Sequence, residues 1–340
     1  MLNLCGDQER VISLSDMRRA LPRQVELVSG PGCAASICPE ADVHQALRLL
    51  ARHELTLLVA ENLLRLPLNK AGSGPISLFA AMQDGADVRP AASPVEALIA
   101  AQQQPERDMV YFVAGFETLL VPLAGMILDG LPANLSVLLC GRRTEPLVDQ
   151  VLAANADDFD ALLLPGNRCA LTGTRDWDQL TFKYRKPAAV AGYSSNNILS
   201  ALHAVLLQHT RGAARVDNLY RSLVRPEGNA MARDQLDRVF EQVDSDWRGV
   251  GQVGGTGFRL RNAYNNVNAD RRYPDYREEL RPYQSRMPAG CECADVVLGR
   301  KAPAECPQFS RHCTPLSPYG PCMASEDGTC FLHRNSRSLA

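Results

Sequence analysis

The chain has 340 residues, with 36 Lys and Arg against 38 Asp and Glu for a formal net charge of −2, which leaves no basic field to draw it onto nucleic acid or an anionic bilayer. At 46% hydrophobic and 22% charged it has the composition of a folded globular protein rather than a disordered one. The first ten residues carry Asp7, Glu9 and Arg10 and no apolar signal run, so a reducing cytoplasmic setting is expected; the longest apolar stretch, Leu119 to Leu128, is far short of the ~20 residues of a spanning helix, so no membrane partner is expected.

Between residues 20 and 210 short β-branched runs alternate with amphipathic stretches, the rhythm of βα units. Strands are expected at Gln24–Val28, Leu55–Val59, Met109–Val113, Leu135–Leu139, Ala161–Leu164 and Ala188–Ala191. Helices are expected at Asp42–Ala51, Pro94–Gln103, Thr118–Asp129, Glu145–Ala154 and Asn196–Gln208, the last behind the N-capping run Ser194-Ser195-Asn196. Strands joined by crossovers pair in parallel. The expected fold class is therefore α/β, with one lobe over residues 1–105, a second over 106–210 and a helical or irregular C-terminal domain over 211–340. That last part predicts a helix at Asp234–Val243 and a Gly-rich loop from Gly249 to Gly257. Its Arg/Tyr-rich stretch from Arg259 to Arg286 is broken by Asp270, Asp275, Glu278 and Glu279, which reads as surface or protein docking and not as an RNA site. Gly249-x-Gly251-x-x-Gly254 follows a helix instead of a strand, so no dinucleotide site is expected there.

Six of the eleven cysteines lie in the last fifty residues, at Cys291, Cys293, Cys306, Cys313, Cys322 and Cys330. Too few large apolar residues accompany them to build a core unaided. Four thiolates can hold zinc or a [4Fe–4S] cluster. The gaps are long and unequal, and Cys291-Glu292-Cys293 is too short for a zinc knuckle, which favours the iron–sulfur reading. Cys140 and Cys169 each follow an apolar strand and read as buried small residues.

The spacing Cys291-x14-Cys306-x6-Cys313-x16-Cys330, with Cys313-Thr314-Pro315, Gly320-Pro321-Cys322-Met323 and Gly328-Thr329-Cys330 inside it, resembles the cluster signature of the hydrogenase maturation scaffold family HypD. Further blocks follow in that family's order: Cys5-Gly6, Gly30-Pro31-Gly32-Cys33, Gly115-Phe116-Glu117-Thr118, Leu164-Pro165-Gly166, Arg225-Pro226-Glu227-Gly228-Asn229 and Trp247-Arg248-Gly249. The resemblance implies two Rossmann-like lobes around a cleft and a C-terminal domain with a [4Fe–4S] cluster on Cys291, Cys306, Cys313 and Cys330. It also implies assembly of the Fe(CN)2CO group of [NiFe]-hydrogenases, with a small HypC-type chaperone and a HypE-type cyanide donor as partners and the hydrogenase large subunit as an indirect one. The transient mononuclear iron is implied to sit on the thiolate of the Gly-Pro-Gly-Cys loop, here Cys33.

The cleft departs from that pattern. The histidine expected after Cys5-Gly6 is missing, and the family's CxxC becomes Cys33-Ala34-Ala35-Ser36, with Cys38 two residues late. Asn62 falls in the altered Phe-Gly-Asp segment, and the positions of two further family histidines are held by Gly141 and Asn167. A serine hydroxyl is too weakly acidic to replace the second thiolate. Cys33 is expected to follow a strand near a helix N-terminus, which lowers a thiol pKa. It reads as a reactive thiol or iron ligand, or as a loop cysteine without that role, with Cys38 and Cys5 as candidates to converge on it. Glu117 reads equally as a first-turn helix carboxylate or a functional one. The alternative to a working scaffold is a divergent paralogue that keeps the cluster and docking surface as an accessory or electron-relay protein.

Overall fold

The computed structural model describes residues 1–69, 74–154, 156–274 and 287–338. Among these, eleven strands form two sheets. They are β1 (Leu2–Asn3), β2 (Val28–Ser29), β3 (Thr56–Val59), β4 (Val88–Pro90), β5 (Met109–Gly115), β6 (Leu135–Arg142), β7 (Leu162–Pro165), β8 (Ala188–Ala191), β9 (Val216–Asn218), β10 (Phe240–Trp247) and β11 (Gly251–Leu260). The first sheet runs β2-β1-β7-β8-β9 and is parallel throughout. The second runs β10-β11-β6-β5-β3-β4, parallel from β6 to β4 with an antiparallel hairpin on the β6 edge. The α/β class with parallel sheets is therefore as the alternation predicts.

Strand membership does not follow the boundary between residues 1–105 and 106–210. β5 pairs with β3 across that point within one sheet, while β1 pairs with β7 to join the N-terminus to the second half of the chain. The strand expected at Gln24–Val28 shortens to Val28–Ser29. The helix expected at Asp234–Val243 is Ala230–Val239, capped by the Asn229 side chain, and from Phe240 the chain is strand. From Gly251 the Gly-rich run is strand β11, and only Gly249 and Val250 lie in a turn before it. Its Gly257 faces Ser245, where any Cβ would collide with the hydroxyl. Of the Arg/Tyr-rich stretch, Arg272 donates to Asp108 at 2.6 Å; Asp275, Glu278, Glu279 and Arg286 lie outside the described residues. Among the described residues, no helix is long and apolar enough to cross a membrane.

The central strands are buried along their whole length, as parallel strands covered on both faces must be. The Cys-rich tail borrows this core. Val296, Val297, Leu298 and Met323 pack into one buried cluster with Leu2, Leu4, Phe159 and Trp247. Burial of such side chains contributes about 1.5–3 kcal/mol each, so the tail is not held by its thiols alone. Its last helix, Thr329–Ser338, also meets the helix Gly6–Leu14. There the His333 ring lies 3.6 Å from the buried Glu9 carboxylate. Burial opposes ionisation of Glu9, yet Arg18, 2.8 Å away, and His333 hold its carboxyl far below the usual range.

Candidate functional site

The loop Gly30-Pro31-Gly32-Cys33 leaves β2 and opens the short helix Ala34–Ile37, with Cys33 as its N-cap. The loop presses on Cys5-Gly6: the Gly6 amide donates to the Gly32 carbonyl at 3.2 Å. A Cβ on Gly32 would lie 2.5 Å from the Gly6 nitrogen and 2.7 Å from the Cys5 backbone, so only glycine allows this approach. The two cysteines are backbone neighbours with different surroundings. Cys33 Sγ lies 3.8 Å from Ser325 Oγ, while the Cys5 thiol feels Asp7 and Arg168 and touches the Tyr193 hydroxyl. The low thiol pKa expected at a helix start does not result. Burial dominates and pushes both Cys5 and Cys33 up to about 11, with Ser36 pulling Cys33 partly back. An ion binding to Cys33 must therefore displace a proton.

Around this loop the substituted positions form a polar rim. Asn167 Nδ2 donates to Asp7 at 3.4 Å, its backbone N–H donates to the Tyr193 hydroxyl at 2.8 Å, and Asn62 donates to Asp327 at 3.3 Å. Arg10 stands 3.8 Å from Asp327. Burial, then the charge of Asp327, raises the Asp7 pKa. At Gly141 there is no room for a larger side chain: a Cβ would meet Leu120 at 2.8 Å and Phe258 at 3.1 Å. Ser36, at the second thiol position of the CxxC, is buried against Cys33 and Cys322, and among the described residues its hydroxyl makes no well-formed hydrogen bond.

Cys38 does not join Cys33. It caps the opposite end of the same short helix and meets Cys140 on β6 and Asp42 in the first turn of the helix Glu40–Arg52, the three ligating atoms lying within 4.8 Å of one another. Reading Cys140 as a small core residue misses this contact. It depends on β5 pairing with β6 in a register that sets Cys140 opposite Ala114, which no local pattern announces.

Glu117 opens the helix Glu117–Asp129 and is 1% exposed. Burial, and next the neighbouring Glu145 carboxylate, push its carboxyl up to about 7, against the opposing charge of Arg168. Arg168 Nε is 3.9 Å away. That guanidinium is engaged elsewhere, donating to Thr144 Oγ1 and to the Leu4 carbonyl and lying over the Phe116 ring.

In the tail, Cys291, Cys293, Cys313, Cys322 and Cys330 gather together. The Cys322 amide donates to Cys293 Sγ at 3.3 Å and the Tyr319 amide to Cys313 Sγ at 3.4 Å. Gly320 packs so closely that a Cβ there would sit 2.5 Å from Cys291 Sγ. The thiols of Cys293 and Cys330 both contact Cys322, which holds the Cys322 thiol well below its usual range while theirs rise. Cys306 stands at the edge, close enough for its charge to reach Cys313, and lines a surface cavity with Pro307, Phe309 and Arg334. Cys293 and Cys322, outside the four-cysteine spacing, are thus inside the cluster of sulfurs.

Arg248 links the two thiol regions. It is 1% exposed, its amide donates to the Ile37 carbonyl at 3.1 Å, and its Nη2 donates to the Pro67 carbonyl. Its Nε and Nη1 have no hydrogen-bond partner among the described residues. Burial lowers its pKa, while Glu40, Cys38, Cys293 and Cys291 favour its charge.

A family model, HypD of the hydrogenase formation hypA family, matches residues 1–336. This chain belongs to the HypD family. Among curated relatives, a hydrogenase expression/formation protein of Methanocaldococcus jannaschii is 32% identical over 100% of this chain and 92% of its own. The hydrogenase maturation factor HypD of Cupriavidus necator is 31% identical over 98% of this chain and 88% of its own, and that of Rhizobium leguminosarum 32% identical over 98% and 86%. The chain is thus a hydrogenase maturation factor by family, and its buried sulfurs suit it to metal.

Proposed function

We propose that this HypD-family chain is a scaffold on which the iron group of [NiFe]-hydrogenases is built. In this reading Cys291, Cys306, Cys313 and Cys330 hold a [4Fe–4S] cluster. The donor set fits in part: Cys291, Cys313 and Cys330 lie among the clustered sulfurs with no carboxylate between them and Cys306 at their edge, the Tyr319 N–H is aimed at Cys313 Sγ, and the Arg248 cation stands beside Cys291. When bound, the cluster supplies one-electron chemistry. Cys33 offers its sulfur to the cargo iron, with a small HypC-type chaperone supplying the remaining ligands and a HypE-type protein the cyanide.

The observation that carries this reading is the meeting of the two regions, with Cys33 Sγ 3.8 Å from Ser325 Oγ and within electrostatic reach of Cys322 and Asp327. The Gly32–Cys33 turn holds the sulfur at the polar rim, and Asp7, Asp327, Asn62 and Asn167 position hydrogen bonds around whatever is bound there.

Anaerobic preparation is expected to yield about four irons per chain with broad visible absorbance, and Cys313→Ser or Cys330→Ser to lose most of both. Zinc without iron in the wild-type chain would overturn the cluster assignment. Hydrogenase activity restored in a strain lacking its own scaffold tests the assembly role, with Cys33→Ser expected to abolish rescue.

The second reading, a paralogue with cluster and docking surface but without assembly chemistry, is favoured by the hydroxyl of Ser36 and the filled space at Gly141. Ser36→Cys would place a second sulfur beside Cys33 and Cys322. That variant is expected to gain iron retention together with the chaperone; equal retention by wild type and variant would show that the serine costs the chain nothing.

A further inference from the structure

We propose that Cys38, Asp42 and Cys140 form a binding site for one soft divalent cation of the zinc class, separate from the tail sulfurs and from Cys33. The three side chains come from three elements: the C-cap of the helix Ala34–Ile37, the first turn of the helix Glu40–Arg52, and β6. Their ligating atoms all lie within 4.8 Å of one another. A tetrahedral ion with metal–sulfur bonds of about 2.3 Å brings its donors to roughly 3.5–3.8 Å, so closure needs side-chain movement of about 1 Å. Two sulfurs and one oxygen select zinc-like ions over magnesium or calcium, which want oxygen throughout.

The surroundings match the charge such an ion would bring. Two thiolates and a carboxylate carry three negative charges against two on the cation. The third is offset by Arg142, whose Nη2 stands 3.8 Å from Asp42 Oδ2. Arg142 is held there by its own bonds to the Asp246 and Gly141 carbonyls, at 2.7–3.1 Å. Binding releases the two thiol protons and forms two metal–sulfur bonds, with no change of oxidation state. Cys38 and Cys140 are 0% and 1% exposed, whereas the Asp42 side chain is 26% exposed and gives the ion its way in. Three protein ligands leave a fourth position for water or an exogenous donor. A bound ion would pin the Cys38 end of the short helix to β6 and so fix the Cys33 end beside Ser325.

The test uses the full chain, prepared anaerobically with its iron retained, and Co2+ as probe. Wild type is expected to take up one Co2+ per chain with intense sulfur-to-cobalt absorption in the near ultraviolet, displaced by one equivalent of Zn2+. Cys38→Ser/Cys140→Ser is expected to lose the signal. Asp42→Asn, at a partly exposed position that does not threaten folding, is expected to bind more than about tenfold more weakly. Iron content and circular dichroism stay unchanged in both variants, so the result is read independently of the tail. No cobalt signal in wild type, an equal signal in the variants, or a Cys38–Cys140 disulfide in the freshly isolated anaerobic protein would each overturn the assignment.

Discussion

Gly32→Ala is expected to destabilise the chain by about 3 kcal/mol or more, at the upper end of what an overpacked site costs. The added methyl has nowhere to go: backbone atoms of Cys5 and Gly6 lie 2.5–2.7 Å from it, and backbone cannot rotate aside as a side chain can. One segment must retreat, which breaks the Gly6–Gly32 hydrogen bond and moves Cys33 away from Ser325. Gly254→Ala is the control, because its Cβ meets only Asp244 Oδ1 at 3.6 Å, and it is expected to stay within about 0.5 kcal/mol of wild type. Urea midpoints for the two variants provide the comparison, and alkylation of Cys33 by iodoacetamide provides a second readout, faster in Gly32→Ala. Equal midpoints would mean that the loops do not meet as described.

Glu117→Gln is expected to stabilise the protein at alkaline pH and not at acid pH. Because the native carboxyl titrates at about 7 instead of 4.5, the folded state keeps a proton that the unfolded chain releases between those values. The stability tied to this proton is complete below about pH 4.5 and is lost as pH rises through 7. The shift corresponds to up to about 3 kcal/mol at 1.36 kcal/mol per unit. Glutamine removes the penalty and leaves Arg168 with Thr144, Leu4 and Phe116. The variant's urea midpoint should therefore exceed that of wild type at pH 8 and match it near pH 4. A lower midpoint at pH 8 would show that the Arg168 pair outweighs burial.

The sequence discloses those parts whose cause is local. Ser93 with Pro94, and Ser194, begin helices where their capping oxygens allow, and β3, β5, β6, β7 and β8 fall where short apolar runs do. The β10–β11 hairpin was hidden, because Phe240 to Trp247 alternates in burial directly behind a helix and four of the ten residues of its partner strand are glycine. Strand order was hidden too, since β1 pairs with residues about the whole first half of the chain away. The site divides in the same manner. The thiol spacing of the tail and the Gly-Pro-Gly-Cys turn are written in consecutive residues. The Cys38–Cys140 contact and the placement of Cys293 and Cys322 depend on packing between distant segments. The thiol acidity expected of Cys33 failed for a related reason: a short helix of four residues competes with the desolvation of a sulfur that the tail covers.

The strand order of the first sheet also constrains how the chain is born. β1 lies between β2 and β7, and 133 positions separate Ser29 from Leu162. At 5–20 residues per second of synthesis, roughly 7–27 s pass before the ribosome delivers the second partner of β1. Meanwhile β3 to β6 have all emerged and can pair, so the parallel part of the second sheet is free to assemble first, before its β10–β11 hairpin is made, while the leading segment, with Cys5 and Cys33, waits for its seat.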